Sequence, residues 1–180
     1  MASTPTRLMT FAEFERTPDP PSGAHQELRR GEIVTLAPPK HDHYAMQLRL
    51  LYLLYHAAGN TGKVGMEWGY RPVPEYEYWE ADVAFVSQAR WDAIPRKGNM
   101  QGPPELVVEV LSPSNTPAEI ARKKKLCLEN GCIEFWVVDS DAATVEVAAG
   151  EGRMVTYRPG QHIPLFFSLG ASISVDAIFG

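Results

Sequence analysis

Two short apolar runs on either side of an amphipathic segment dominate the hydrophobic pattern of the chain. The run 105–111 is apolar and rich in valine around one interior carboxylate, Glu109. Such a run predicts a strand that is buried on both faces, where a carboxylate is costly without a partner. The second run, 133–138, predicts another buried strand. A strand–helix–strand unit of this kind favours parallel strands joined by a right-handed crossover.

The segment between the two runs carries clear helix signals. Thr116 is followed by Pro117, and Glu119 stands three residues after Thr116. Thr at the N-cap, Pro in the first turn and Glu at the third helical position form a capping box. Gly131 is expected to end the helix.

The remaining pattern predicts a mixed α/β fold around this unit. Its central sheet is expected to be mixed and flanked by helices, with a hairpin near each end of the chain. The expected elements are a capping-box helix from Thr10, a hairpin over 26–36, a helix over 42–58 with Asp42 as N-cap, strands over 63–71 and 81–86, a turn over 72–80, a hairpin over 144–157, a strand over 171–176 and a closing turn over 177–180.

Length and composition narrow the class of protein. The 180 residues predict a single domain over 1–180, with residues 1–9 as a flexible tail. A net charge of -5 counts against a simple nucleic-acid binder. The N-terminus has no apolar signal region and no run is long enough to span a membrane. Two cysteines without zinc-site spacing fit a reducing cytoplasm.

Three sets of charged residues lie in or beside the apolar segments, where a purely structural core would not require a charge. Asp82 begins the apolar strand at 81–86, Glu109 interrupts the strand at 105–111, and four basic residues follow at 122–125. Two carboxylates on neighbouring strands suit Mg²⁺, which prefers few carboxylates together with water and phosphate oxygens. A nearby lysine would offset charge on an attacked phosphate. The set therefore favours phosphodiester chemistry.

The motifs around these residues resemble a known family. The sequence reads D-V-x-F-V from Asp82, P-x-L-V-V-E-V-L-S-P-S around Glu109, and E-F-W-V-V-D from Glu134. In this order they are similar to the Uma family of restriction-endonuclease-like proteins, within the PD-(D/E)xK nuclease superfamily. The resemblance extends over nearly the whole chain and implies a restriction-endonuclease-like core.

The resemblance implies a role for each motif residue. Asp82 and Glu109 would be catalytic metal ligands, with the main-chain carbonyl of Val110 as a third ligand. Most of the superfamily has its lysine two residues after the glutamate, where this chain has Leu111. In the Uma family the lysine lies on the next helix, and the matching residue is Lys123.

Some positions stay open at the level of sequence. Lys123 and Lys124 both share a helix face with Ile120, and only the family match favours Lys123 as the catalytic lysine. The hairpin acid Glu27 is expected on the surface, yet is also a candidate for a further carboxylate near the metal. His43, at the start of the long helix, is a candidate supporting residue.

The function implied is Mg²⁺-dependent cleavage of a nucleic acid, most simply DNA, with Mn²⁺ as a possible substitute for Mg²⁺. By analogy with the superfamily, the protein would act as a homodimer in the cytoplasm. Two rivals remain open, a nucleic-acid-binding module that has lost cleavage and a protein-interaction domain on the same fold. Expected phosphate contacts are Arg71, Arg96, Lys97 and the basic run 122–125.

Overall fold

The computed structural model describes residues 7–20, 24–73, 75–113 and 115–180. Its helices are α1 (Phe11–Phe14), α2 (His41–Ala58), α3 (Gln88–Ala93), α4 (Pro117–Glu129) and α5 (Val175–Phe179). Its strands are β1 (Gln26–Arg29), β2 (Glu32–Thr35), β3 (Gly62–Arg71), β4 (Trp79–Ser87), β5 (Met100–Gln101), β6 (Leu106–Val110), β7 (Glu134–Asp139), β8 (Thr144–Ala149), β9 (Met154–Tyr157), β10 (His162–Pro164) and β11 (Ser172–Ser174).

Seven of these strands form the central sheet, in the order β5-β3-β4-β6-β7-β8-β9. β6 and β7 run parallel and α4 connects them, as the apolar runs predict. β3 and β5 are also parallel, and the other neighbouring pairs are antiparallel. The mixed central sheet and the antiparallel hairpin at its C-terminal edge are therefore confirmed.

Helices pack on both faces of this sheet. On one face, Leu50 and Leu54 of α2 join a large core cluster that includes Val83 and Val108. On the other face, α4 contributes Ile120 and Cys127 to a second cluster with Val107, Phe135 and Val137. Because successive strand residues point to opposite faces, β6 is buried on both sides, as expected for its apolar sequence.

The N-terminal hairpin of β1 and β2 is attached to the segment before β4 by backbone hydrogen bonds, which include one from Gly31 to Tyr76. The N–H of Leu28 donates to the carbonyl of Tyr78, and the N–H of Tyr78 donates back to Leu28, both at 2.9 Å. This bridge lies immediately before β4 and brings β1 beside the start of that strand. Of the expected flexible tail, residues 1–6 lie outside the described residues, and Met9 donates its N–H to Gly31.

Three local predictions are wrong. α2 begins at His41 with Lys40 as N-cap, so Asp42 lies in its first turn instead of capping it. β4 begins at Trp79 and not at residue 81, since pairing with β3 extends back to that tryptophan. The last predicted strand is confined to β11, which pairs with β10, and the closing turn is replaced by the helix α5.

The capping box of α4 gives the first testable prediction. The hydroxyl of Thr116 accepts the N–H of Glu119 at 3.2 Å, and the Glu119 carboxylate accepts the N–H of Thr116 at 3.0 Å. We expect Thr116→Ala to lower the free energy of unfolding by about 1 kcal/mol, as for other N-cap losses. Urea denaturation measures this, with Ser140→Ala at an exposed turn as the control. Equal effects of both substitutions would contradict the capping role.

Candidate active site

The first component of the candidate site is the point at which β4 and β6 stop pairing. The register of the two strands aligns Val83 with Val108, and one further step brings Asp82 to Glu109. At Asp82 the alternation of β4 is interrupted, since Ala81 and Ala84 both pack in the core on the α4 side. The carboxylate of Asp82 is therefore free to turn toward both β6 and α2.

Asp82 makes three hydrogen bonds in this position. Its Oδ2 accepts the main-chain N–H of Val110 at 2.6 Å, in place of a ladder bond between the strands. Its Oδ1 accepts the side-chain amide of Gln47 at 2.8 Å and lies 3.2 Å from Nε2 of His43. His43 and Gln47 lie one helical turn apart on α2, so this helix fixes the carboxylate from the other side.

Glu109 and Lys123 form a buried ion pair beside Asp82. The ammonium nitrogen of Lys123 lies 3.1 and 3.2 Å from the two carboxylate oxygens of Glu109. Only 4% of Glu109 and 9% of Lys123 are exposed. Lys123 reaches this position because it shares the buried face of α4 with Ile120 and Cys127.

A second carboxylate, Glu27, reaches the same lysine from the N-terminal hairpin. Its Oε1 accepts Nζ of Lys123 at 3.3 Å and the main-chain N–H of Glu80 at 2.9 Å. Its Oε2 accepts Nε of Arg29, which extends in turn to Glu119 on α4. Glu27 is only 1% exposed, so the expectation that it lies on the surface is wrong.

The pKa values of these groups reflect strong burial. Burial raises the pKa of Glu109 to about 8, with the positive charge of Lys123 opposing the shift. Burial alone would lower the pKa of Lys123, but the negative charges of Glu109 and Glu27 outweigh it and raise that pKa. The hydrogen bond to Asp82 raises the pKa of His43, against the effect of its burial. The site thus holds a proton-accepting carboxyl next to a permanently charged ammonium group.

These residues line one open cleft of about 730 Å³. Its lining includes the carboxylates of Glu27, Asp82 and Glu109 and the largely apolar segment 34–39. Within residues 7–20, 24–73, 75–113 and 115–180, no three His, Cys, Asp or Glu side chains are arranged as a ready-made metal cage. Mg²⁺ does not require such a cage, because water and substrate phosphates complete its six ligands.

The two candidate lysines point in different directions. Lys123 enters the cleft, whereas Nζ of Lys124 lies 2.6 Å from a carboxylate oxygen of Glu146 on β8. The rest of the basic run is also paired, with Arg122 bonded to Glu77 and Lys125 3.9 Å from Glu129.

The other expected phosphate contacts have different surroundings. The guanidinium of Arg71 stacks over the ring of Phe11, 4.0 Å from its centroid. Arg96 and Lys97 are exposed in the turn that follows α3. Neither Arg71 nor the Arg96–Lys97 turn lines the cleft.

Sequence reasoning missed two residues of the cleft. Gln47, which is 2% exposed, hydrogen-bonds Asp82. Gln47 lies four residues after His43, and this helical spacing indicates that the two side chains share a face of α2. Glu67 interrupts the pairing of β3 with β4 opposite Asp82 and has a φ of 48°. A left-handed conformation in a non-glycine strand residue is uncommon and is found more often at functional sites. No sequence signal marks it.

The fold and site define a class of protein. A crystal structure described as a "putative nuclease belonging to DUF820" from Anabaena variabilis ATCC 29413 matches with a TM-score of 0.79. The match covers 95% of this chain and 97% of that one, at 19% sequence identity. At this identity the likeness shows the fold alone, which is that of a mixed α/β nuclease-like domain.

The family follows from a separate comparison. The chain belongs to the Uma2 family, described as "Putative restriction endonuclease", whose model matches residues 11–176. The resemblance found in the motifs is therefore confirmed, and family and fold together support a restriction-endonuclease-like nuclease. A comparison with curated proteins finds no match. In the part of the chain that the structure describes, every helix is too short or too polar to cross a bilayer.

Proposed function

We propose that this chain is a metal-dependent endonuclease of the PD-(D/E)xK type that cleaves DNA in the cytoplasm. The observation that carries the proposal is the convergence of Asp82, Glu109 and Lys123 in one cleft. Each comes from a different element, β4, β6 or α4, and the three are 14 or more residues apart in sequence. Two acids and a lysine around one open space are the groups that phosphodiester hydrolysis requires.

The residues present fit a hard divalent cation. The lining of the cleft offers carboxylate oxygens, which are the donors that Mg²⁺ prefers. Glu27 also pairs with Arg29, whereas Glu109 has only the ammonium group of Lys123, which it shares with Glu27, among the described residues. A second cation beside Glu109 would favour its charged form, which burial otherwise disfavours. Asp82, Glu109 and the carbonyl of Val110 are the proposed ligands, with Mg²⁺ or Mn²⁺ as the ion.

Each protein group then has a distinct part in the reaction. When bound, the metal would supply Lewis-acid polarisation of the phosphodiester and an activated water. Lys123 would place a positive charge where negative charge develops on the attacked phosphate. Gln47 and His43 hold the Asp82 carboxylate in place through its Oδ1. Glu27 orients Lys123 and is a supporting residue.

Cleavage assays provide the direct test. Supercoiled, branched and single-stranded DNA are incubated with Mg²⁺, with Mn²⁺ or with chelator, and Asp82→Asn is compared with the native chain. We expect metal-dependent cutting that the substitution abolishes, because the amide cannot replace the charged ligand. Asp92→Asn, on the exposed surface of α3, is the matched control and should cut normally.

A negative cleavage result would distinguish between the two rival functions, nucleic-acid binding and protein interaction. If no substrate is cut and calorimetry detects no metal binding, the nuclease proposal is wrong. Salt-dependent DNA binding without cleavage would then support a silent nucleic-acid-binding module. Absence of both activities would leave a protein-interaction domain.

A further inference from the structure

The outward face of α2 is unusually apolar for an exposed helix. Tyr44, Leu48, Tyr52 and Tyr55 are between 43% and 65% exposed. At about 100° per residue, all four lie within roughly 80° of one another around the helix axis. They therefore form one continuous stripe along three turns of α2, which we name the α2 stripe. Contiguous exposed apolar surface of this kind is a mark of an interaction site.

The charges around the α2 stripe favour a protein partner. Between Asp42 and Glu67 the sequence contains no carboxylate, although the chain as a whole carries a net charge of -5. Arg49, at the flank of the stripe, donates to the carbonyl of Ile178 and is directed toward the C-terminal segment. Surfaces rich in tyrosine and poor in Lys, Glu and Asp are typical of the cores of protein–protein interfaces.

We infer that the α2 stripe binds a second copy of this chain, with the two α2 helices antiparallel about a two-fold axis. The stripe is self-complementary in that arrangement. Pairing Leu48 with Tyr52 of the second copy also places Tyr44 beside the other Tyr55. In an isologous interface each contact occurs twice, so the stripe would make two contacts between Leu48 and Tyr52 and two between Tyr44 and Tyr55.

Polar groups at the ends of the helix fit the same arrangement. Asp42 and His56 lie on the same flank of α2, 14 residues apart near its two ends. A two-fold axis perpendicular to both helices brings each flank against the same flank of the other copy. The Asp42 carboxylate of one copy would then face the His56 ring of the other, an acceptor opposite a potential donor.

The available area suits a weak dimer. The stripe exposes about 400 Å² on each copy, given roughly 200 Å² for a tyrosine. Two copies would bury about 800 Å² from these four residues, and the exposed flank of α2 at Ala45, Arg49 and His56 would bring the total toward the roughly 1,000 Å² of a specific interface. Tyr44 also lines the cleft, so the second copy would lie at its mouth. This interface goes beyond the proposed function, and its failure would leave the nuclease test unaffected.

Light scattering after size exclusion tests the inference. We expect the native chain to have twice its 20.0 kDa mass at micromolar concentration. Leu48→Glu with Tyr52→Glu should reduce the mass to that of one chain, because four acids would face one another. Leu169→Glu, at a fully exposed leucine outside α2, is the matched control and should remain dimeric. Circular dichroism verifies the fold of each variant.

A second measurement tests the antiparallel register and does not depend on the acidic variant. Leu48→Cys and Tyr52→Cys chains are mixed and mildly oxidised, while the native Cys127 and Cys132 stay buried. We expect cross-linking between the two different variants to exceed that within either one. A monomeric native chain, or a dimer that survives the two glutamates, would overturn the inference. A monomer whose DNA binding is lost in the acidic variant would instead assign the α2 stripe to nucleic acid.

Discussion

At pH 9, where Glu109 is charged, Lys123→Met is expected to lower the free energy of unfolding by about 3–5 kcal/mol, the usual cost of leaving a buried charge unpaired. The substitution keeps the volume of the side-chain stem, so little of the loss would come from a cavity. It removes the ammonium group that lies within 3.3 Å of oxygens of both Glu109 and Glu27. Glu27 would retain Arg29, whereas Glu109 would keep no cation that the structure describes.

The loss of stability in Lys123→Met should be larger at high pH than at low pH. Lys123 opposes the rise in the pKa of Glu109, so removing it raises that pKa further above about 8. At pH 6 Glu109 is protonated with or without the lysine, and the substitution costs less. At pH 9 the native pair is charged and the variant has to bury a lone carboxylate or keep it protonated. Urea denaturation at both pH values measures the difference.

Lys124→Met is the matched control for this experiment. Lys124 is the next residue on the same helix and also pairs with a glutamate, but both partners are partly exposed. Such a pair contributes less than about 1 kcal/mol. Similar losses for both lysines would contradict the assignment of Lys123 to the cleft. Adding Glu109→Gln to Lys123→Met should restore most of the lost stability, because the unpaired charge is then absent.

The framework of the fold was predictable because its signals are local. The valine-rich run around Glu109 and the capping box at Thr116 each specify one element. The position of Lys123 was not predictable from helix geometry, since Lys124 shares nearly the same face. It is settled by packing, because the strand opposite Lys123 carries Glu109, whereas Lys124 meets Glu146 on β8.

The rest of the site depends on long-range contacts that no local pattern records. Glu27 alternates with apolar residues as a surface hairpin acid would. Its position beside β4 and next to Lys123 depends on contacts distant in sequence, among them the bridge between Leu28 and Tyr78. Glu67 appears in the cleft because β3 departs from regular strand geometry there. Such a departure is a property of the assembled sheet, and the sequence alone gives no reason to expect it.

Glu109→Gln should abolish cleavage while making the fold more stable. The amide has the same shape but cannot supply a charged ligand. We expect at least about a 10³-fold loss of cleavage, which corresponds to the several kcal/mol that a metal contributes to charge stabilisation. Glu134→Gln is the matched control, since Glu134 is also buried with a raised pKa but hydrogen-bonds Trp136 outside the cleft. That variant should cleave normally.

The gain in stability follows from the direction of the pKa shift. Burial raises the pKa of Glu109 from 4.5 to about 8, so the folded chain retains a proton that the unfolded chain has lost. The stability contributed by that proton is complete below pH 4.5 and is lost as the pH rises through about 8. Glutamine does not titrate, so the advantage of Glu109→Gln should grow over this range to the order of 5 kcal/mol.

Two measurements distinguish the titration of Glu109 from a general effect of the substitution on packing. Urea denaturation at pH 5 and pH 8.5 should show the advantage of Glu109→Gln mainly at the higher pH. Mg²⁺ should raise the melting temperature of the native chain and not that of the variant, because only the native site binds the ion. If the variant is less stable at both pH values, the hydrogen bond from Lys123 to the charged Glu109 carboxylate contributes more stability than burial of that charge costs. An equal response of both proteins to Mg²⁺ would exclude Glu109 as a ligand.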